Sequence, residues 1–136
     1  MKNLLKRTSV LVLSMLVMAT VLSSCSDDED VAPELTQIAY STNTISVQTA
    51  TAISSVTPTI SPSGAEATIA IKEIEKDSQA FTNPTNGFKI STEGVLSLEA
   101  SNTLEAGTYV LTIEATDKND NTIKKTTTFT FTVTAS

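Results

Sequence analysis

A strict alternation of apolar and hydroxyl side chains near the C-terminus is the feature that most restricts how this chain can fold. Phe129, Phe131 and Val133 alternate with threonines, so one face of the segment is apolar and the other carries hydroxyl groups. A period of two in β-preferring residues predicts a half-buried strand. No helical period of 3.6 residues persists after residue 36. The sequence therefore predicts an all-β domain over residues 36–136.

A second alternating segment precedes the first. Its apolar positions are Tyr109, Leu111, Ile113 and Ala115. Between the two segments lies Asp-Lys-Asn-Asp-Asn, a run of turn-forming residues over positions 117–121. We expect the two segments to form a long antiparallel hairpin.

Shorter strands are predicted upstream. Phe88 and Ile90 precede a turn at Gly94, and the segment after it returns as a short hairpin in which glycine supplies a positive φ. Residues 67–71 alternate as another strand, and Ile74, which is out of step with them, indicates a β-bulge.

Two weaker strands are predicted at residues 45–47 and 53–56. Pro58 and Pro62 limit the segment that follows to an edge strand or a loop. About seven short strands separated by turns, in roughly 100 residues, are typical of a two-sheet antiparallel Greek-key sandwich.

The first 24 residues follow the order of a secretory signal. Lys2, Lys6 and Arg7 precede an apolar run over residues 10–22, and small residues come next. That run of 13 residues is shorter than the roughly 20 that a membrane-spanning helix needs, so such a helix is the weaker alternative. A plain secreted protein is another alternative, and it would leave Cys25 as an unpaired thiol.

The segment Leu22-Ser23-Ser24-Cys25 resembles the lipobox of bacterial lipoproteins. The resemblance implies cleavage before Cys25, a diacylglyceryl group on its sulfur and an N-acyl chain, which together attach a protein stably to a membrane. Residues 25–35 would then be an acidic tether, because the like charges in Ser26–Asp30 repel one another. The acidic run is either a spacer or, by resemblance, the export signal of surface lipoproteins in Gram-negative bacteria with polysaccharide-utilisation systems. That reading implies an outer-membrane lipoprotein exposed at the cell surface.

Composition removes several classes of function. Loss of the first 24 residues takes three basic residues and no acidic one, so the mature chain of 112 residues has a net charge of −9 and repels nucleic acid. There is no histidine and the single cysteine is assigned to lipid, which excludes His-dependent catalytic triads and a structural zinc site. Paired carboxylates need a cleft, for which a small β domain has little room. We expect no enzyme, no metal and no cofactor beyond the covalent lipid on Cys25.

Two stretches resemble bacterial Ig-like and cadherin-like domains. Residues 87–97 are similar to the F-x-I-x-x-x-G-x-L hairpin of cadherin-like domains, and residues 104–117 to their L-x-x-x-x-Y-x-L-x-V-x-A-x-D strand. Gly107-Thr108-Tyr109 also resembles the tyrosine corner of Ig-type domains, in which the phenol bonds to an upstream backbone group. The resemblance implies one Ig-like or cadherin-like sandwich and says little about a ligand.

The turn at residues 117–121 spells the cadherin string D-x-N-D-N, which makes Asp117, Asn119 and Asp120 candidate calcium ligands. Carboxylate and amide oxygens suit this cation. In cadherins, however, the string follows the last strand, whereas here it lies inside a hairpin. An ordinary polar turn is the alternative.

Glycan binding is also implied by the resemblance to surface lipoproteins of polysaccharide uptake. Sugars stack on exposed aromatic rings. Alternation assigns most of the aromatic residues to the core, which leaves Tyr40 and Phe81 as candidate glycan contacts, with ordinary partial burial as the alternative.

These observations predict a surface-anchored, non-catalytic binding or adhesion module for a glycan or an envelope protein. The alternative is a structural spacer or a small accessory subunit of a cell-envelope assembly with no soluble ligand. If the threonine-rich final strand lies at a sheet edge, its backbone at Thr130 and Thr132 is a further candidate for pairing with a partner strand.

Overall fold

The computed structural model describes residues 31–136, and this part of the chain is all-β. No helix among these residues is long and apolar enough to cross a membrane. The predicted signal peptide, the lipobox Leu22–Cys25 and most of the predicted tether lie outside the described residues. The strands, in chain order, are β1 (Gln37–Ala39), β2 (Thr44–Gln48), β3 (Ile53–Ser54), β4 (Thr59–Ser61), β5 (Ala67–Lys76), β6 (Gln79–Ala80), β7 (Lys89–Ile90), β8 (Leu96–Leu98), β9 (Gly107–Asp117) and β10 (Lys124–Thr134).

The larger layer is a five-stranded sheet in the order β2-β10-β9-β5-β6. Strands β9 and β10 pair antiparallel from Thr116↔Lys124 to Gly107↔Val133, which confirms the predicted long hairpin. β2 pairs with β10 in parallel, from Thr44↔Thr130 to Gln48↔Thr134. The final strand is therefore not an edge at Thr130 and Thr132, because a strand from the other end of the domain covers it there.

The second layer combines the three-stranded sheet β3-β8-β7 with the pair β1-β4. Only four residues separate β3 from β4, and the N–H of Ser55 extends the pairing of β3 by donating to the carbonyl of Leu96 (2.8 Å). Val56 was predicted to lie in a strand, yet it lies between β3 and β4 with 44% of its surface exposed. Among the described residues β4 pairs only with β1, as the flanking Pro58 and Pro62 predict.

The core fills the space between the layers. Tyr109, Leu111 and Ile113 of β9 and Phe129 and Phe131 of β10 are completely buried. From the opposite layer, Ile38, Phe88, Leu96 and Leu98 are also buried. The ring of Phe88 lies 4.9 Å from that of Phe131 and 5.4 Å from that of Tyr109, centroid to centroid. The predicted Ig-like Greek-key sandwich is confirmed, although it is divided into ten strands rather than about seven.

Two local predictions are also confirmed. The β5–β9 register shifts between Ile71 and Glu73, at the bulge that the displaced Ile74 indicated. The β7–β8 hairpin turns at Gly94, whose φ is +81°. A Cβ at this position would lie 2.6 Å from the Cγ of Pro58, so only glycine fits the turn.

Candidate functional site

Asp117, a candidate calcium ligand, holds the start of the domain in place. It is 3% exposed, and its Oδ2 accepts a hydrogen bond of 2.8 Å from the N–H of Leu35, which is itself fully buried. Its Oδ1 accepts bonds from the N–H groups of Asn119 (2.8 Å) and Asp120 (3.2 Å). These backbone donors, chiefly Leu35, lower the pKa of Asp117. The bond to Leu35 lies close to the start of the compact unit that spans Ala32–Ser136.

Asp120 stabilises the same turn. Its Oδ1 accepts bonds from the hydroxyl (2.6 Å) and the N–H (2.9 Å) of Thr122, and these bonds lower the pKa of Asp120. The side chains of Asp117 and Asp120 therefore bond to backbone and hydroxyl donors of the hairpin and, for Asp117, to the N–H of Leu35. Within residues 31–136, no three His, Cys, Asp or Glu residues are grouped so that they could hold a metal ion. The calcium assignment to Asp117, Asn119 and Asp120 stays a prediction.

Tyr40, a candidate glycan contact, is a core residue. Only 8% of it is exposed, its ring packs edge-on against Phe129 at 5.0 Å, and its hydroxyl donates to the carbonyl of Gly94 at 2.6 Å. Burial raises the pKa of Tyr40 to about 12. Because the ring offers no free face on which a sugar can stack, Tyr40 does not serve as the platform that the sequence suggested.

Phe81, the other candidate glycan contact, is half-buried beside β6. Its ring packs edge-on against Tyr109 at 5.1 Å. It separates two shallow depressions of about 400 and 360 Å³, the first lined also by Ile71 and Asn83 and the second by Glu105. Phe81 thus lies at the surface beside β6, the outermost strand of the five-stranded sheet. Its assignment as a glycan contact stays a prediction.

The predicted tyrosine corner is present. The hydroxyl of Tyr109 donates to the carbonyl of Glu105, four residues upstream, at 2.8 Å. This bond satisfies the only polar atom of a ring that is otherwise enclosed by the core. It belongs to the scaffold rather than to a binding surface.

The outer side of β5 is the least satisfied backbone of the five-stranded sheet. β6 pairs with only Glu75 and Lys76 of β5, and the N–H of Phe81 adds one bond to the carbonyl of Ile74 (2.8 Å). Within residues 31–136, no strand pairs with the outer side of residues 67–73. A stretch of backbone donors and acceptors is therefore open to a partner.

The backbone direction along this edge follows from one hydrogen bond. The N–H of Lys118 donates to the carbonyl of Glu66 (3.0 Å), so Glu66 directs its carbonyl toward the β9 side. Backbone direction alternates along a strand, so the N–H and C=O groups of Thr68 and Ala70 also point toward β9. Those of Ala67, Ile69 and Ile71 point outward, away from β9. We call these three residues the β5 edge.

The surroundings of the β5 edge are concave, with both apolar and polar side chains. The side chains of Ala67, Ile69 and Ile71 are half-buried against the core. A cavity of about 210 Å³ lies at one end, lined by Ala67 and Ile69 together with Thr92, and the Phe81 depression lies at the other end beside Ile71. Such a groove is suited to an extended peptide, whose backbone would continue the sheet.

The other edge strand of the same sheet, β2, is polar on its exposed side. β2 is also an edge, and its exposed side chains are Thr44, Ser46 and Gln48. The three cavities described above are all lined by residues outside β2. The β5 edge is therefore the better candidate for recognition, and sequence analysis did not identify it. The dipeptide Asp77-Ser78 could have indicated a turn that ends β5. In the structure these two residues have positive φ values of 50° and 68° and form a tight turn, and the strand that follows, β6, is only two residues long.

Comparisons with known proteins give a structural likeness alone. No protein-family model matches the chain, and no curated protein matches it. The titin domains Z1Z2 in complex with telethonin align with 78% of this chain and 51% of that one, at 14% identity and a TM-score of 0.44. The Sidekick-1 immunoglobulin domains 1–5 align over 73% and 20%, at 12% identity and a TM-score of 0.42. A chimeric titin Z1Z2 carrying a KLER peptide from decorin aligns over 76% and 100%, at 18% identity and a TM-score of 0.42. The chain thus spans about half of the first of these structures and a fifth of the second.

Proposed function

We propose that this chain is a lipid-anchored, non-catalytic protein-binding module of the bacterial cell surface, which holds an extended segment of its partner along the β5 edge. The observation that carries the proposal is the set of outward backbone groups at Ala67, Ile69 and Ile71, which no strand of the described chain covers. Added strands gain main-chain hydrogen bonds from such an edge, and neighbouring depressions select side chains.

The exposure of the aromatic residues favours a protein partner over a glycan. Tyr40 is buried, and Phe81 has one edge against Tyr109, so no pair of exposed rings forms a stacking platform in the described residues. The sheet edge, by contrast, needs no exposed ring in order to bind a strand. A glycan at Phe81 is the competing hypothesis, because depressions lie on both sides of that ring.

The anchor is proposed from the sequence of the first 25 residues. A basic start, a short apolar run and Leu22-Ser23-Ser24-Cys25 support lipid on Cys25 and location at the outer membrane. Growth of the native strain with a labelled fatty acid tests this assignment. We expect label on the wild-type chain and none on Cys25→Ala, and an unlabelled wild-type chain released into the culture fluid would refute the anchor.

The binding proposal is tested on the full chain, purified from membranes in detergent, with a phage library of linear ten-residue peptides and with a glycan array. We expect selected peptides to bind the wild type and to lose binding to Ala67→Pro, because proline removes an outward N–H. Ala67→Ser is the matched control, since it keeps the N–H and nearly the same side-chain size.

Two results would overturn the proposal as a whole, and a third would overturn its site. In one, the array shows glycan binding that disappears in Phe81→Ala, while no peptide is selected. In the other, neither probe binds, which favours the structural spacer. Peptide binding that Ala67→Pro leaves unchanged would also contradict the β5 edge as the site.

A further inference from the structure

We propose that the strand which occupies the β5 edge is the same edge of a second copy of this chain, paired antiparallel about a two-fold axis at Ile69. The inference deepens the proposed function and rests on it. A two-fold interface uses the same surface on both subunits, so the edge must be complementary to itself. Backbone direction, side-chain size and charge each meet that requirement.

The backbone groups match when the axis passes through Ile69. In this register Ile69 faces Ile69 of the second copy, and Ala67 faces Ile71 on either side of the axis. All three residues direct their N–H and C=O groups outward, so each facing pair exchanges two hydrogen bonds. The register thereby uses every outward group of the edge before the bulge between Ile71 and Glu73 interrupts it.

The side chains on the inner face are complementary in size. The small Ala67 faces the large Ile71 at both ends, and Ile69 meets its own copy at the centre. In the single chain these side chains are only partly buried against the core. A second copy would cover their outer flanks and extend the apolar layer across the junction.

Charge selects this register over its neighbours. Glu66 and Lys72 lie three residues on either side of Ile69, so each Glu66 faces a Lys72 of the second copy. Both are exposed, with 62% and 57% of their side-chain surfaces accessible. Sliding the strands by two residues keeps the outward groups aligned but moves Glu66 opposite Ala70 or Ile74. Opposite charges directly across a strand pair stabilise it.

The ion pairs within the chain leave both residues available. Glu66 pairs with Lys118 at 3.2 Å and Lys72 with Glu114 at 3.3 Å, and exposed pairs of this kind are weak. When Lys72 turns to the second copy, Glu114 keeps its contact with Lys124 at 3.3 Å. Exchange of partners therefore leaves no buried charge unpaired.

The usual protection of an edge strand begins only after Ile71. Natural edge strands are guarded by proline, lysine, a β-bulge or a covering element, and in β5 both Lys72 and the bulge lie beyond the stretch that would pair. Between Glu66 and Lys72 the sequence is Ala-Thr-Ile-Ala-Ile, with no charge and no proline. An unguarded stretch flanked by charges of opposite sign is suited to one particular partner.

Cross-linking in the full chain tests the register. Thr68 and Ala70 are exposed, and the proposed register sets Thr68 of one copy opposite Ala70 of the other at a non-hydrogen-bonded position. There the Cα atoms are about 4.5 Å apart, within disulfide range. We expect a mixture of Thr68→Cys and Ala70→Cys chains to form disulfide-linked dimers under mild oxidation, and either variant alone to form few.

Each variant alone is also the matched control. A residue at position 68 or 70 is displaced by two positions from its own copy, so the Cα atoms are more than about 7 Å apart. Wild-type chain treated in parallel accounts for any link through Cys25, and mass spectrometry of the linked peptides identifies the joined positions. Efficient linkage of Thr68→Cys alone or Ala70→Cys alone would place the axis at another residue and overturn the register.

Charge exchange tests the same interface without new thiols. Sedimentation equilibrium of the full chain in detergent should show a dimer, and Glu66→Lys or Lys72→Glu should each weaken dimerisation about tenfold by setting like charges opposite each other. The double variant Glu66→Lys/Lys72→Glu should recover it. That recovery separates the interface from the internal ion pairs, which the double variant still lacks.

The inference fails if the wild type is monomeric at every concentration, or if the double variant is no better than the single ones. Its failure is distinguishable from failure of the proposed function. A monomeric chain that still binds selected peptides in an Ala67-dependent manner would keep the protein-binding proposal and identify the partner as a different protein.

Discussion

Strands β9 and β5 lie side by side and are almost equally long, at eleven and ten residues, yet they have opposite environments. β9 is hydrogen-bonded on both sides, by β10 and β5, and its inward side chains are fully buried. β5 is bonded along its whole length on one side only, and Ala67, Ile69 and Ile71 stay half-buried. Both strands alternate inward and outward side chains, β5 as far as its bulge. The comparison therefore shows that pairing on both sides of a strand decides how far its inward side chains are buried.

Proline substitution should reveal this difference most strongly. Ala115→Pro in β9 removes a ladder hydrogen bond from a strand paired on both sides, and we expect it to cost about 3 kcal/mol or more, as proline does inside other regular elements. Ala67→Pro removes an N–H that points outward, so we expect a change within about 0.5 kcal/mol. Urea denaturation measures both, and equal losses would contradict the assignment of an open β5 edge.

Truncation of side chains should give the next largest effects. Leu111→Ala in β9 empties a fully buried position, and we expect it to cost about 2–5 kcal/mol. Ile69→Ala in β5 removes a similar volume from a half-buried position, with an expected cost of about 1 kcal/mol. The two unfolding free energies should be compared at concentrations where the chain is monomeric. A cost at Ile69 equal to that at Leu111 would mean that the β5 edge is covered.

The carboxylate at the end of β9 should give a pH signature. Hydrogen bonds to its ionised form lower the folded-state pKa of Asp117, so its stabilising contribution is full above the unfolded pKa of about 3.9. That contribution is lost as the pH falls through the folded pKa. We expect Asp117→Asn to be less stable at neutral pH and to lose less stability on acidification than the wild type. Parallel acid limbs for the two proteins would show that the Leu35 bond contributes nothing.

The two tyrosines should give the smallest effects. Tyr109→Phe and Tyr40→Phe each remove one hydroxyl that bonds to a carbonyl, with an expected cost of about 1 kcal/mol. Because burial raises the pKa of Tyr40 to about 12, its contribution is complete below pH 10 and is lost as the pH rises through about 12. Tyrosinate absorbance during alkaline titration measures this, and ionisation of both tyrosines near pH 10 would contradict their burial.

The parts of the fold that were predictable from sequence are those that local patterns specify. Alternation around residues 109–115 and 129–133 fixed which side chains face inward, and the Asp-Lys-Asn-Asp-Asn run fixed the hairpin between them. The displaced Ile74 located the bulge, and Gly94 located a turn that no larger residue fits. In each case the residues that indicate the element lie in it or within a few residues of it in the sequence.

The remaining features depend on pairing between distant parts of the chain. The parallel contact of β2 with β10 joins residues more than 80 positions apart, and so does the bond between Leu35 and Asp117. Tyr40 carries no alternation that would place it in the core, so its burial was not predictable. The open β5 edge follows from the shortness of β6, which depends on the Asp77-Ser78 turn and on where the chain crosses to the second layer.

The hydrogen bond between Leu35 and Asp117 would also set the length of the tether between Cys25 and the domain. If Cys25 carries lipid, ten residues lead from the membrane to the first fixed point of the domain, and a chain of that length reaches at most about 35 Å. Two copies on one membrane would then share a thin layer of space above the lipid, in which their edges meet far more often than the same molecules do in bulk solution.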